Sequence, residues 1–138
     1  MVIKRIYTVP IYNQTLMVLV PDKMQEANDY LTKKYHVNEI KNLAFFDGYV
    51  VELENENMGL SMIVVAIKPG VDSYVVAHES LHVAIRVLEN ALITTNVDNS
   101  EPCAYLMEAI MKLINKTLVI YIHKRADLKS TKKNKKSS

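Results

Sequence analysis

The 138-residue chain reads as one α+β domain: a small, twisted, mainly antiparallel sheet packed on a penultimate helix and a C-terminal helix, in the order ββαββαα. Three observations predict this. Short segments rich in β-branched and aromatic residues recur in the first half of the chain. Three longer stretches carry apolar residues at three- and four-residue spacing. Pro, Gly, Asn and Asp punctuate the boundaries between them.

The elements follow in order. Residues 3–12 and 14–20 read as two strands joined near Asn13, and Pro10 marks the first as an edge strand or a bent one. Pro21-Asp22 opens a helix to about Tyr35, with Met24, Ala27, Tyr30 and Leu31 on one face. Asp22 and Glu26 near its start and Lys33 and Lys34 near its end suit the helix dipole, and His36 marks its C-terminal end. Residues 44–54 form the next strand region, in which Asp47-Gly48 signals a short hairpin or a bulge. Residues 55–57 read as a turn, and residues 60–67 are apolar on both faces, as in a covered strand. Lys68-Pro69-Gly70 ends that strand, and Asp72 or Ser73 caps a helix to about Ile93. Residues 94–99 are a polar loop. Ser100 caps a last helix from Glu101 to about His123, with Pro102 tolerated in its first turn.

Composition narrows the classes. Apolar residues make up 49% and charged residues 23%, a globular balance. With 3 Gly and 4 Pro, collagen-like and low-complexity readings are excluded. No apolar run approaches the ~20 residues of a membrane helix. The N-terminus lacks a signal-peptide pattern, and a single cysteine, Cys103, excludes an internal disulfide. An intracellular, cytoplasmic protein without membrane contact is expected.

The net charge of +2 hides an asymmetry. Seven of the 17 basic residues, and only one acid, Asp127, fall within residues 124–138. The remainder, 10 basic and 14 acidic residues, is mildly acidic. Residues 1–123 are therefore read as the domain and 124–138 as a basic, disordered tail. An acidic body argues against a dedicated nucleic-acid domain and leaves only weak binding through the tail, which has no aromatic residue interleaved for stacking.

The chemistry lies in His78-Glu79-Ser80-Leu81-His82. Helix positions four apart share a face one turn up, so His78 and His82 project together at a separation one metal ion can bridge. Glu79 points away from that line and can reach a water held by the metal. Val75, Val76, Ala77, Leu81, Val83, Ala84, Ile85, Val87 and Leu88 surround the motif, so the helix is expected to be buried on nearly all sides.

A catalytic zinc takes three protein ligands and a water. Glu101, 19 positions after His82 across a short loop, is the candidate third ligand. Tyr105, one turn on, is a candidate oxyanion donor. Other positions fit less well. His123 lies roughly 33 Å and Glu108 about 10 Å along the helix from Glu101. Asp98 is a substitute ligand or a partner for a histidine ring. Cys103 falls on the apolar stripe of the last helix.

Together with Asn99-Ser100-Glu101-Pro102-Cys103-Ala104-Tyr105, the motif resembles the zincin metallopeptidases in their glutamate-ligand, gluzincin-like arrangement. The small sheet followed by a helix pair is similar to compact HExxH proteins encoded by bacteriophages. The resemblance covers roughly residues 74–110 and implies zinc on His78, His82 and Glu101, with Glu79 as general base for hydrolysis of a protein or peptide substrate. Where gluzincins carry a supporting acid one turn after the ligand glutamate, this chain has Tyr105. A catalytically weak or inactive zincin-like module that binds a protein partner is the alternative. A basic-tailed nucleic-acid accessory protein is the third reading. The sequence does not define the oligomeric state.

Overall fold

The computed structural model describes residues 1–37, 45–55 and 60–136. The strands are β1 (Val2–Thr8), β2 (Thr15–Pro21), β3 (Gly48–Asn55) and β4 (Leu60–Ile67), and the helices are α1 (Met24–Tyr35), α2 (Ser73–Asn90) and α3 (Glu101–Lys136). A short 3-10 turn, Val97–Asn99, precedes α3. The class is α+β and the order ββαββαα, as the sequence predicts.

The sheet runs β1-β2-β4-β3, so β1 and β3 are its edges. β1 is antiparallel to β2, and β3 to β4, whereas β2 and β4 are parallel, with Val18 opposite Val65. Parallel neighbours need a crossover connection, here α1 and β3. Alternation divides the two central strands between two cores. Leu16, Val18, Val20, Ile63, Val65 and Ile67 pack against α2 and α3. Met17, Leu19, Met62, Val64 and Ala66 pack against Met24, Ala27 and Leu31 of α1. Fully burying each Leu, Ile, Val or Met side chain among these is worth about 1.5–3 kcal/mol relative to exposure. The result is three layers, with α1 on one face of the sheet and the α2–α3 pair on the other.

β1 ends at Thr8 rather than near Tyr12, and α1 starts at Met24 rather than at Pro21-Asp22. Three further boundaries differ from expectation. The first is at Asp47-Gly48, where no hairpin interrupts the third strand. Gly48 begins β3, and the Asp47 carbonyl accepts the Lys68 N–H at 2.9 Å, closing the end of the β3–β4 pair. Ala44 and residues 56–57, which the sequence assigned to a strand and a turn, lie outside the described residues.

The second is the end of α2, which falls at Asn90 rather than near Ile93. The third is α3, which runs on through Lys136 where disorder was expected from residue 124. Tyr121 is the last buried side chain of α3 among the described ones, and its hydroxyl donates to Asp22. Beyond it there is no Gly or Pro, and Lys, Arg, Ala and Leu propagate a helix already nucleated by its packed first half.

Candidate metal centre

The helix α2 lies over the edge strand β3, and two contacts fix it there. Near its start, Glu79 sits over Gly48. A Cβ at position 48 would stand 2.9 Å from Glu79 Cγ, so that one of them must shift, and 3.1 Å from Ile67 Cδ1, tighter than ordinary packing. Glycine is needed here for close approach of helix and strand. Near the other end, Glu52 of β3 accepts a hydrogen bond from Asn90, which is the firm contact there, and meets Arg86 only loosely at 3.5 Å. Gln14, from the β1–β2 connection, donates to the Val87 carbonyl at 2.8 Å and accepts from Asn90 at 3.2 Å. Gly48 meets Glu79 and Glu52 meets Arg86, so strand and helix run side by side in the same direction.

His78 and His82 aim their rings at each other, with the two Nε2 atoms 3.1 Å apart and the ring centroids 4.7 Å apart. Zinc–nitrogen bonds of about 2.0–2.1 Å at tetrahedral angles separate two ligand nitrogens by about 3.3–3.4 Å. The pair therefore fits two positions of one zinc ion with little adjustment. Without metal, one neutral ring can donate to the other across the same distance.

Glu79 is 7% exposed. Burial pushes its carboxyl above the usual carboxylate range, an effect the nearby His78 and His82 partly oppose. Among the described residues it makes no hydrogen bond or ion pair. The three side chains line an open cleft of about 360 Å³ with Phe46, Gly48, Tyr49, Val50 and Arg86. The outer edge of β3 pairs with no described strand. Tyr49, whose phenol is pushed up by burial, turns its hydroxyl to the opposite face and donates to Asn28 at 2.6 Å.

Three expectations about the site need correction. The first concerns α2, which is not buried all round: Val76, Glu79, Ser80, Val83, Ala84, Val87 and Leu88 face the core, while Tyr74, His78, Leu81, His82 and Arg86 are exposed. The cause is position. Beyond the edge of β3 no described layer covers the helix. Desolvation of the two histidines therefore supplies no argument for a metal; the convergence of their nitrogens does.

The second is Glu101, which does not join the pair. After His82 the helix α2 continues for eight residues. That is about 12 Å of helix before the loop and α3 begin. Glu101 is exposed, and no three His, Cys, Asp or Glu side chains gather as a metal-holding group among the described residues. The third is Tyr105, which is 70% exposed and likewise lies outside the cleft.

His36 stands just past α1 in the left-handed region, where it ends the helix. Cys103 is buried in the core. Asp98 lies in the 3-10 turn. Sequence reasoning missed the parts played by Gly48, Glu52 and Arg86. The signals were there: a glycine opening a strand, and an arginine four residues after His82, on the same helical stripe. A larger cleft of about 470 Å³ lies between Gln14, Glu52, Glu54, Ser61 and Asn90, but its Gln14, Glu52 and Asn90 are bonded to one another and serve the fold.

No protein-family profile, no curated protein and no solved structure matches the chain. Among the described residues no helix is long and apolar enough to cross a membrane.

Proposed function

We propose that the chain is a zinc-dependent, metallopeptidase-like protein acting on a protein or peptide. One observation carries the reading: the Nε2 atoms of His78 and His82 converge to 3.1 Å in a cleft that also holds the buried carboxyl of Glu79. His78 and His82 would hold the zinc. When bound, that ion supplies an acidified water and polarises a carbonyl. The remaining roles fall to the chain itself. The Glu79 carboxylate takes a proton from the attacking water and returns it to the leaving amine nitrogen. A carboxyl whose hold on a proton is strengthened by burial is suited to both halves of that transfer. The outer edge of β3 offers N–H and C=O groups to an extended peptide beside the pair.

With two protein ligands gathered among the described residues, zinc affinity should fall below that of a three-ligand site. The same shortfall favours a second reading, a zincin-like module that holds zinc weakly and binds a protein without cutting it.

Metal analysis and peptide cleavage by purified variants test both. Glu79→Gln is expected to keep zinc and lose cleavage, and His78→Ala to lose both. Cleavage undiminished in Glu79→Gln, or zinc undiminished in His78→Ala, would overturn the proposal. Zinc bound by the native chain with no cleavage across a mixed peptide library would leave the binding module.

A further inference from the structure

We infer that Arg86 is a specificity residue that receives a carboxylate of the bound peptide beside the histidine pair. The inference rests on the reading of this cleft as a peptide site. Tyr74, His78, His82 and Arg86 are spaced four apart on α2, so they form one stripe along the exposed face. Arg86 lines the same cleft as His78, Glu79 and His82.

Its guanidinium is held loosely. It meets Glu52 through a single nitrogen at 3.5 Å, against about 2.7–2.9 Å for a firm charge-assisted hydrogen bond. The Arg86 side chain is 49% exposed and that of Glu52 16%. Glu52 also accepts from Asn90, so it keeps a partner when Arg86 turns away. A guanidinium has five N–H donors in a planar fork, and a carboxylate takes two of them in parallel. Exchanging a long, single contact with Glu52 for a two-pronged contact with a ligand is favourable.

The charge of the cleft selects the ligand class. Glu52 and Glu79 already stand in or beside it, so a carboxylate, with one negative charge, is tolerated better than a phosphate with nearly two. Distance sets the position. From His82 to Arg86 is four helical residues, about 6 Å, and an extended peptide advances about 3.3 Å per residue, so the carboxylate falls about one to three residues from the bond at the pair. Two sources supply it: the C-terminal carboxylate of a peptide, or an Asp or Glu side chain within one. At the opposite end of the cleft Phe46, 56% exposed, offers an apolar surface to a neighbouring side chain.

The test is equilibrium binding by fluorescence anisotropy to the Glu79→Gln chain, with and without chelator. Three probes are used: fluorescein-Gly-Phe-Ala-Ala with a free C-terminus, the same peptide as its C-terminal amide, and fluorescein-Gly-Phe-Ala-Asp amide. At least one carboxylate probe is expected to bind about tenfold tighter than the amide, which carries the same label but no peptide carboxylate, and which one does so identifies the source. Adding Arg86→Gln should erase the difference, and Arg86→Lys should restore part of it, since a lysine keeps the charge without the fork. Equal binding of all three probes, a preference that survives Arg86→Gln, or no binding of either carboxylate probe at millimolar concentration would overturn the inference. An Arg86-dependent preference in a chain that neither holds zinc nor cuts peptides keeps the inference and removes the hydrolase. Zinc-dependent cleavage without such a preference does the reverse.

Discussion

Burial between α2 and β3 raises the Glu79 carboxyl above its ordinary value of 4.5, and the sign of the consequence follows from linkage. The folded chain holds this proton more tightly than the unfolded chain does. Stability is therefore lost as pH rises from the unfolded value through the raised folded one, and is flat beyond it. In metal-free protein Glu79→Gln removes that loss. The variant is expected to show a higher urea midpoint than the native chain at pH 7, and the gap should shrink toward pH 4. Parallel unfolding curves in chelator at both pH values check this; a gap independent of pH would contradict it. The same residue shows what was legible locally. His78, Glu79 and His82 were readable because one helical turn relates them. That Glu79 faces the core, and that both histidines face outward, depended on which strand lies beneath α2.

At the scale of the element, α2 closes with a cap that its sequence disguises. The Ile93 N–H bonds to the Leu88 carbonyl at 2.8 Å and the Leu92 N–H to the Glu89 carbonyl at 3.0 Å. These are the paired bonds of a Schellman motif. Ile93 and Leu88 pack into one core cluster, as that motif favours. The position that normally holds glycine is Leu92, with φ 59° and 94% exposure. Leu92 in place of glycine, followed by the apolar Ile93, made the helix look longer than it is. A side chain in the left-handed region costs about 1–2 kcal/mol, and glycine gives back about 0.5–1 kcal/mol through the unfolded chain. Leu92→Gly is thus expected to stabilise the protein by about 0.5–1 kcal/mol, with zinc content unchanged. Thermal and urea midpoints measure it, and a loss of stability would show that Leu92 makes a contact its exposure conceals. The length of α2 also explains Glu101 and Tyr105. Spacing along the chain suggested a short return to the histidine pair, but the turns of helix after His82 carry the loop away from it.

For the molecule as a whole, the order of elements was legible because periodicity is a local property. The sheet order β1-β2-β4-β3 and the parallel β2–β4 pair were not, because strands far apart in sequence choose partners by packing both faces at once. The C-terminal helix shows the converse limit. Composition alone predicted disorder for residues 124–138, yet a helix anchored upstream extends through them as far as Lys136. Described side chains from Ala126 to Lys133 are all exposed, so this extension adds little to the core. Removing residues 127–138 is expected to change stability by less than about 0.5 kcal/mol and to leave zinc content intact. Calorimetry and metal analysis of the truncated chain test that, and a loss above about 1 kcal/mol would reveal a role in holding the fold. The site divides along the same line. The imidazole pair belongs to a single coil of backbone and needs nothing else to meet. The carboxyl gains its altered acidity through burial, which needs the helix packed against a strand distant in the sequence. On the proposed reading, a chain caught half-assembled would chelate before it could catalyse, and metal uptake alone would be a poor certificate of native architecture.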